Sequence, residues 1–163
     1  MIKKWILFIL GTILCTFSLG RWNVAFFAWL WPAFLIDFLR STDCKKGLLC
    51  VYASLLVTSI IKWIGYTNGG IGLDIVYSVF CSIVSFIPFL VDRLLFKRYK
   101  GWKQTLIFPL MWVTLESICL YLPIANNNII AYSQVRIYPL IQIASLFGTL
   151  SISFFITWFA SVI

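Results

Sequence analysis

The chain has 163 residues, 62% of them hydrophobic and only 11% charged, with a formal net charge of +8 and no histidine. Soluble domains carry roughly 25% charged residues, and a chain this short has too small a core to hide so much apolar surface, so a soluble globule is excluded. Unpaired backbone groups are costly in hydrocarbon, which leaves helices or a closed barrel as spanning structures. The apolar runs are continuous rather than alternating, which excludes the barrel. The expected fold is therefore all-α: a polytopic membrane helix bundle of about six helices, forming one transmembrane domain over residues 1–163.

The first run covers residues 5–19, after Lys3 and Lys4. A signal peptide begins in the same way, but every later run is equally apolar, so this one reads as a retained helix. At 1.5 Å per residue its fifteen residues reach about 22 Å, short of a hydrocarbon core of about 30 Å. Gly20 and Arg21 separate it from a second run, 22–39, in which Pro32 predicts a kink. A short basic linker leads to a third run, 47–65, whose Lys62 lies beside Trp63 and Tyr66, where a long side chain snorkels to the interface. Thr67-Asn68-Gly69-Gly70 reads as a turn. A fourth run, 71–96, has Asp74 in its first turn, which suits the helix dipole, and ends in the basic segment Arg93 to Lys103. The fifth run, 104–122, carries Trp112 and Glu116, and the sixth spans 138–161.

Placing the loops alternately on two sides puts ten of the 13 basic residues on one side, from Lys3 and Lys4 through Arg40, Lys45 and Lys46 to the group Arg93 to Lys103. Arg21 and Arg136 fall on the other, and Lys62 within a helix. The positive-inside rule then makes both termini cytoplasmic. The net charge follows from topology and calls for no nucleic acid partner.

Five cysteines, at 15, 44, 50, 81 and 119, show no CxxC spacing, and without histidine they complete no metal set. No cofactor is implied. Glu116 is the acidic residue deepest within a run, and an ionisable group at that depth must face the bundle or find a partner. Trp112, four residues earlier, shares its face, and by helical rise Glu116 lies beneath the polar stretch Asn126 to Arg136 with its Tyr132-Ser133-Gln134. The reading is a hydrogen-bond anchor between the fifth helix and that stretch. Gln142 enters the last helix, where Ser145, Gly148 and Ser151 stand three apart and would let a neighbouring helix approach closely.

The pattern Trp112-x-x-x-Glu116, a proline-bearing loop, Tyr132-Ser133-Gln134, Pro139-Leu140-Ile141-Gln142-Ile143-Ala144-Ser145-x-x-Gly148 and Ser153-Phe154 resembles the membrane domain of bacterial apolipoprotein N-acyltransferase. The Trp-rich, proline-containing stretch 19–39 is similar to that family's opening. The resemblance implies a multi-pass protein of the cytoplasmic (inner) membrane that contacts membrane phospholipid and serves lipoprotein maturation. In the family a nitrilase-like domain with Glu, Lys and Cys transfers an acyl chain from phospholipid to lipoprotein. No stretch here matches those catalytic motifs, and Glu116 matches the membrane-helix glutamate rather than the catalytic one. The expectation is thus a truncated or split membrane portion, not catalytic alone, whose partners are a nitrilase-like domain on another chain and a lipoprotein substrate. Its candidate structural or lipid-site residues are Trp112, Glu116, Tyr132, Ser133, Gln134, Gln142 and Gly148. The alternatives are a small transporter or channel subunit using Glu116 and Lys62 as pathway charges, and a degenerate remnant.

Overall fold

The computed structural model describes residues 2–66, 70–122 and 128–163. The turn expected at 67–69 and the asparagines at 126 and 127 lie outside these residues. Among the described residues there are seven α-helices and no strand: α1 (Ile2–Phe17), α2 (Ala25–Ser41), α3 (Cys44–Trp63), α4 (Ile71–Leu95), α5 (Trp102–Leu120), α6 (Tyr138–Phe147) and α7 (Thr149–Val162). A 3-10 turn, Ile130–Gln134, lies between α5 and α6. Both α3 and α4 are long and apolar enough to cross a membrane, and α6 with α7 qualifies only as a bent pair.

The expected single helix over 138–161 is corrected to two, bent by 117° at Gly148. Gly148 adopts φ +79° and ψ 165°, a backbone conformation open to glycine and strained for a residue with a Cβ. Glycine is common inside membrane helices, so its presence in an apolar run does not by itself announce a break. The elbow leaves α6 with no buried residue.

The bundle is organised around α2, which packs against α1, α3, α4 and α7. Its Trp31, Leu35, Ile36, Phe38 and Leu39 are buried together with Val51, Leu55, Phe89, Phe108, Trp112, Ile152 and Ile156. Trp31 meets Trp112 edge-on at 5.7 Å, and Phe108 lies 5.5 Å from Trp112, distances at which aromatic pairs add to their area burial. A Cβ on Gly11 of α1 would stand 3.1 Å from Leu35, so this glycine permits the close approach of α1 to α2. Pro32, Pro88 and Pro109 lie inside α2, α4 and α5 and are all buried, where neighbouring helices cover the backbone they disrupt. The outer faces keep large apolar residues such as Ile9, Phe26, Leu49, Val57 and Val76 exposed, a surface suited to a hydrocarbon solvent rather than to water.

Hydrogen bonds sort the helix ends onto two sides. On one side Lys4 Nζ donates to the Ser41 carbonyl, and Arg40 binds both carboxylate oxygens of Asp92, with Nη2 to Oδ1 at 2.8 Å and Nε to Oδ2 at 3.1 Å. Arg40 Nη2 also donates to Ser161 Oγ at 3.2 Å, so α2, α4 and α7 are tied at this end. Arg93 donates to the carbonyls of Arg40 and Thr42 at 3.2 and 2.7 Å, placing a cation at the negative end of the α2 dipole. On the other side Arg21 donates to the Ile64 carbonyl at 3.0 Å, and the Gly65 N–H donates to Asp74 Oδ2 at 2.6 Å.

Candidate functional site

Glu116 is buried on α5, and its Oε1 accepts two hydrogen bonds. The Trp112 indole N–H reaches it at 2.8 Å from one turn earlier, and the backbone N–H of Ile130 reaches it at 2.7 Å from the 3-10 turn. The helical spacing of four supplies the first bond. The second joins residues fourteen apart and clamps the loop onto the bundle. The anchor thus engages the backbone of the polar stretch rather than its Tyr, Ser or Gln side chains. Oε2 is buried with no hydrogen-bond partner, as is Ser153 Oγ on α7. Ser153 is nonetheless the α7 side chain that interacts with this carboxyl group, so the two are neighbours outside bonding geometry. Glu116 also lines a small cavity of about 20 Å³ with Ser85, Cys119 and Asn128.

Gln134 is fully buried and saturated by its surroundings. Its Nε2 donates to the Ala25 carbonyl at 2.9 Å and to Ser133 Oγ, while Oε1 accepts from the Trp29 indole at 3.2 Å. Ser133 Oγ in turn donates to the Ile130 carbonyl at 2.7 Å. Ala25 opens α2, so this amide fastens the loop to the start of the central helix. A buried amide with both ends paired is rigid, because breaking either leaves a polar group without water.

The structure therefore brings Trp112, Glu116, Ser133 and Gln134 into one network. Tyr132 lies at its surface, 37% exposed. Gln142 and Gly148 are exposed and stand apart from it. Ser145 and Ser151, expected with Gly148 to form a close-packing face, are exposed and half-buried respectively, and bond back to the carbonyls of Gln142 and Gly148 at 2.7 Å each. The 117° break at Gly148 removes the straight surface that a three-residue repeat requires.

Beneath the elbow, α6, α7 and α2 enclose an open concavity of about 560 Å³ walled by Trp29, Leu140, Ile143, Ile152, Phe155, Trp158 and Phe159, among others. Its volume falls within the roughly 300–1,000 Å³ of ligand clefts. Trp29 belongs to both structures: its ring packs edge-on against Phe159 at 5.5 Å, and its N–H holds Gln134. The polar roof and the apolar groove share this one side chain.

Of the buried charged positions Lys62 and Asp92, the first differs from the sequence reading. Lys62, expected to snorkel outward, is instead 6% exposed, with Nζ donating to Cys15 Sγ of α1 at 3.3 Å. Asp92 lies in the last turn of α4, where it is fully buried in its pair with Arg40. The partners lie 47 and 52 positions away, and no local pattern encodes such a separation. The three-or-four spacing of Ser54, Thr58 and Lys62 was visible in the sequence. It is the stripe that faces α1, with Ser54 Oγ and Thr12 Oγ1 2.8 Å apart.

The family model of the apolipoprotein N-acyltransferase N-terminal domain matches residues 11–162. No curated protein and no solved structure matches the chain.

Replacing Glu116 tests the clamp. Glu116→Ala orphans the Trp112 and Ile130 N–H groups, each at a cost of about 1–3 kcal/mol, and should lower the thermal midpoint of the purified protein in detergent clearly. Glu116→Gln keeps an acceptor oxygen for both donors and should retain most of the stability. Equal midpoints for Glu116→Ala and the unsubstituted protein would show that the clamp carries no weight.

Proposed function

The chain belongs to the apolipoprotein N-acyltransferase N-terminal domain family, and we propose that it is the lipid-holding membrane scaffold of acyl transfer from phospholipid to lipoprotein rather than the catalyst. The observation that carries this reading is the groove under the α6–α7 elbow. Its walls are apolar side chains, it opens to the outer face of the bundle, and Trp29 links it to the polar roof. An acyl chain lying there is held by burial of apolar surface, worth roughly 25 cal/mol per Å², while its polar head remains at the level of the loop.

Acyl transfer needs a nucleophile, an activating base and donors for the developing oxyanion. Among the described residues Glu116 is the carboxylate nearest the groove's roof, and its one engaged oxygen is held by two donors, which suits an anchor and not a mobile base. The chemistry then belongs to a nitrilase-like catalytic domain, on another chain or another part of the same protein, and the exposed loop with Tyr132 and Arg136 is where we place its contact. A transporter draws no support from the geometry, since Glu116 is held by the Trp112 and Ile130 N–H groups.

Within the membrane, the helix ends carrying Arg40, Asp92 and Arg93 are assigned to the cytoplasm and the roof to the outside, in line with the charge asymmetry of the loops. The localisation that follows is the bacterial cytoplasmic membrane, crossed several times.

Three measurements bear on this reading. A phospholipid with a photoactivatable acyl chain should label the segments 140–143 and 152–159, and Ile143→Trp, which fills the groove, should cut that labelling severalfold while labelling of α3 stays constant; equal losses everywhere would remove the groove from the account. The purified 163-residue chain should transfer no acyl group to a lipoprotein peptide, and measurable transfer would make it an enzyme in its own right. In intact cells an impermeant maleimide should label Arg136→Cys at once, and exposed Cys44 only after permeabilisation; the opposite order would invert the topology.

A further inference from the structure

Lys62 carries a charge into the bundle with little around it to balance that charge. Its ammonium has three donors, and the hydrogen bond shown for it goes to a thiol, Cys15 Sγ at 3.3 Å. The Trp31 ring centroid lies 5.8 Å from Nζ. Taking an ammonium out of water is costly unless it is paired. Asp92 is paired with Arg40, Asp74 accepts from Gly65, and Glu116 is held by Trp112 and Ile130. Among the described residues the ion pair formed is that of Arg40 and Asp92, so no carboxylate stands within 4.0 Å of Nζ.

Lys62 lines a small cavity of about 20 Å³ whose walls include Cys15, Trp31, Thr58, Ser59 and Asn128. A volume of that size accepts roughly one water-sized guest. The wall contains an ammonium, the four hydroxyls of Ser18, Thr58, Ser59 and Ser85, an amide and the indoles of Trp112 and Trp31, the latter with a buried N–H that has no partner among the described residues. It contains no carboxylate. Ser18 and Thr58 already donate to the Cys15 and Leu55 carbonyls, and Trp112 and Ile130 to Glu116 behind the wall, so the donors left to face the space include the Lys62 ammonium and the Trp31 N–H, and the space is too small for a phosphate or a lipid headgroup.

We propose that this cavity is a binding site for a single halide-sized anion, with chloride the physiological occupant and Lys62 its counter-charge. A water molecule fits the space but supplies no charge, whereas a halide supplies the charge and accepts several donors at once. The site is walled by α1, α2 and α3 and also by Ser85 of α4, Trp112 of α5 and Asn128 and Ile130, so its occupancy stabilises the packing of these elements on one another. The proposal is independent of the acyl-chain reading.

The test is thermal unfolding of the purified full chain in detergent, with chloride or bromide replacing gluconate at constant ionic strength. The unsubstituted protein should gain several degrees in midpoint, saturating with halide concentration, and Lys62→Met should show no such gain. Sulfate strengthens burial generally by exclusion from the surface, and it should not reproduce the saturable rise. A midpoint indifferent to halide, or a saturable rise kept in Lys62→Met, overturns the proposal. If Lys62→Met does not fold, equilibrium binding of radioactive chloride to the unsubstituted protein decides. One saturable chloride per chain, displaced by bromide, is the expected result, and no bound chloride, the outcome if water fills the cavity, overturns it.

Discussion

The bond from the Ile130 N–H to the Glu116 carboxylate, 2.7 Å long, determines how one end of this domain is closed. A backbone donor at the edge of a hydrocarbon phase has no water to turn to, and a carboxylate at that depth has no bulk counter-ion. Each satisfies the other, with the Trp112 indole as second donor. Once Ile130 is held, the short 3-10 turn after it delivers Gln134 to the start of α2, and Gln134 sets the indole of Trp29. The ring of Trp29 then forms part of the groove beneath the α6–α7 elbow. A single buried acid thus acts through Gln134 and Trp29 on a groove walled by apolar side chains.

The same accounting applies at the opposite end, where Asp92 and Arg40 are paired and Ser161 completes the donor fork. Such a pair contributes orientation more dependably than net stability, since the desolvation of two ions offsets much of their attraction. Here it fixes the ends of α2, α4 and α7 against one another, which a uniformly apolar interface does not do in a solvent as apolar as itself. The bundle is closed at both ends by polar groups and filled between them by aromatic packing around Trp31, Trp112, Phe89 and Phe108. Lys62 departs from this rule, because its neighbours are a thiol, an aromatic ring and hydroxyls.

The elbow at Gly148 separates two functions that a continuous helix would merge. Below it, α7 packs into the bundle through Ile152, Ile156 and Ala160. Above it, α6 has no fully buried residue and touches the core only through half-buried Leu140 and Ala144, and the angle between the two helices shapes the groove. A Cβ at Gly148 would meet nothing within 4 Å, so the requirement for glycine is conformational and not steric.

Composition alone determined that this is an all-helical membrane domain, because continuous apolar runs with so few charges have no other stable form. Local spacing also made the Trp112–Glu116 couple legible, since four residues along a helix bring two side chains to one face. The motifs from Trp112 to Phe154 carried the family. What the chain order did not contain was any pairing across long separations. Glu116 meeting the Ile130 backbone, Gln134 meeting Ala25 and Trp29, Arg40 meeting Asp92 and Lys62 meeting Cys15 all depend on which helices become neighbours. The direction of Lys62 and the break at Gly148 were decided in the same way: a snorkelling and a buried lysine, or a straight and a broken apolar run, read alike in one dimension, and only packing in three dimensions assigns each polar group the partner that lowers its free energy.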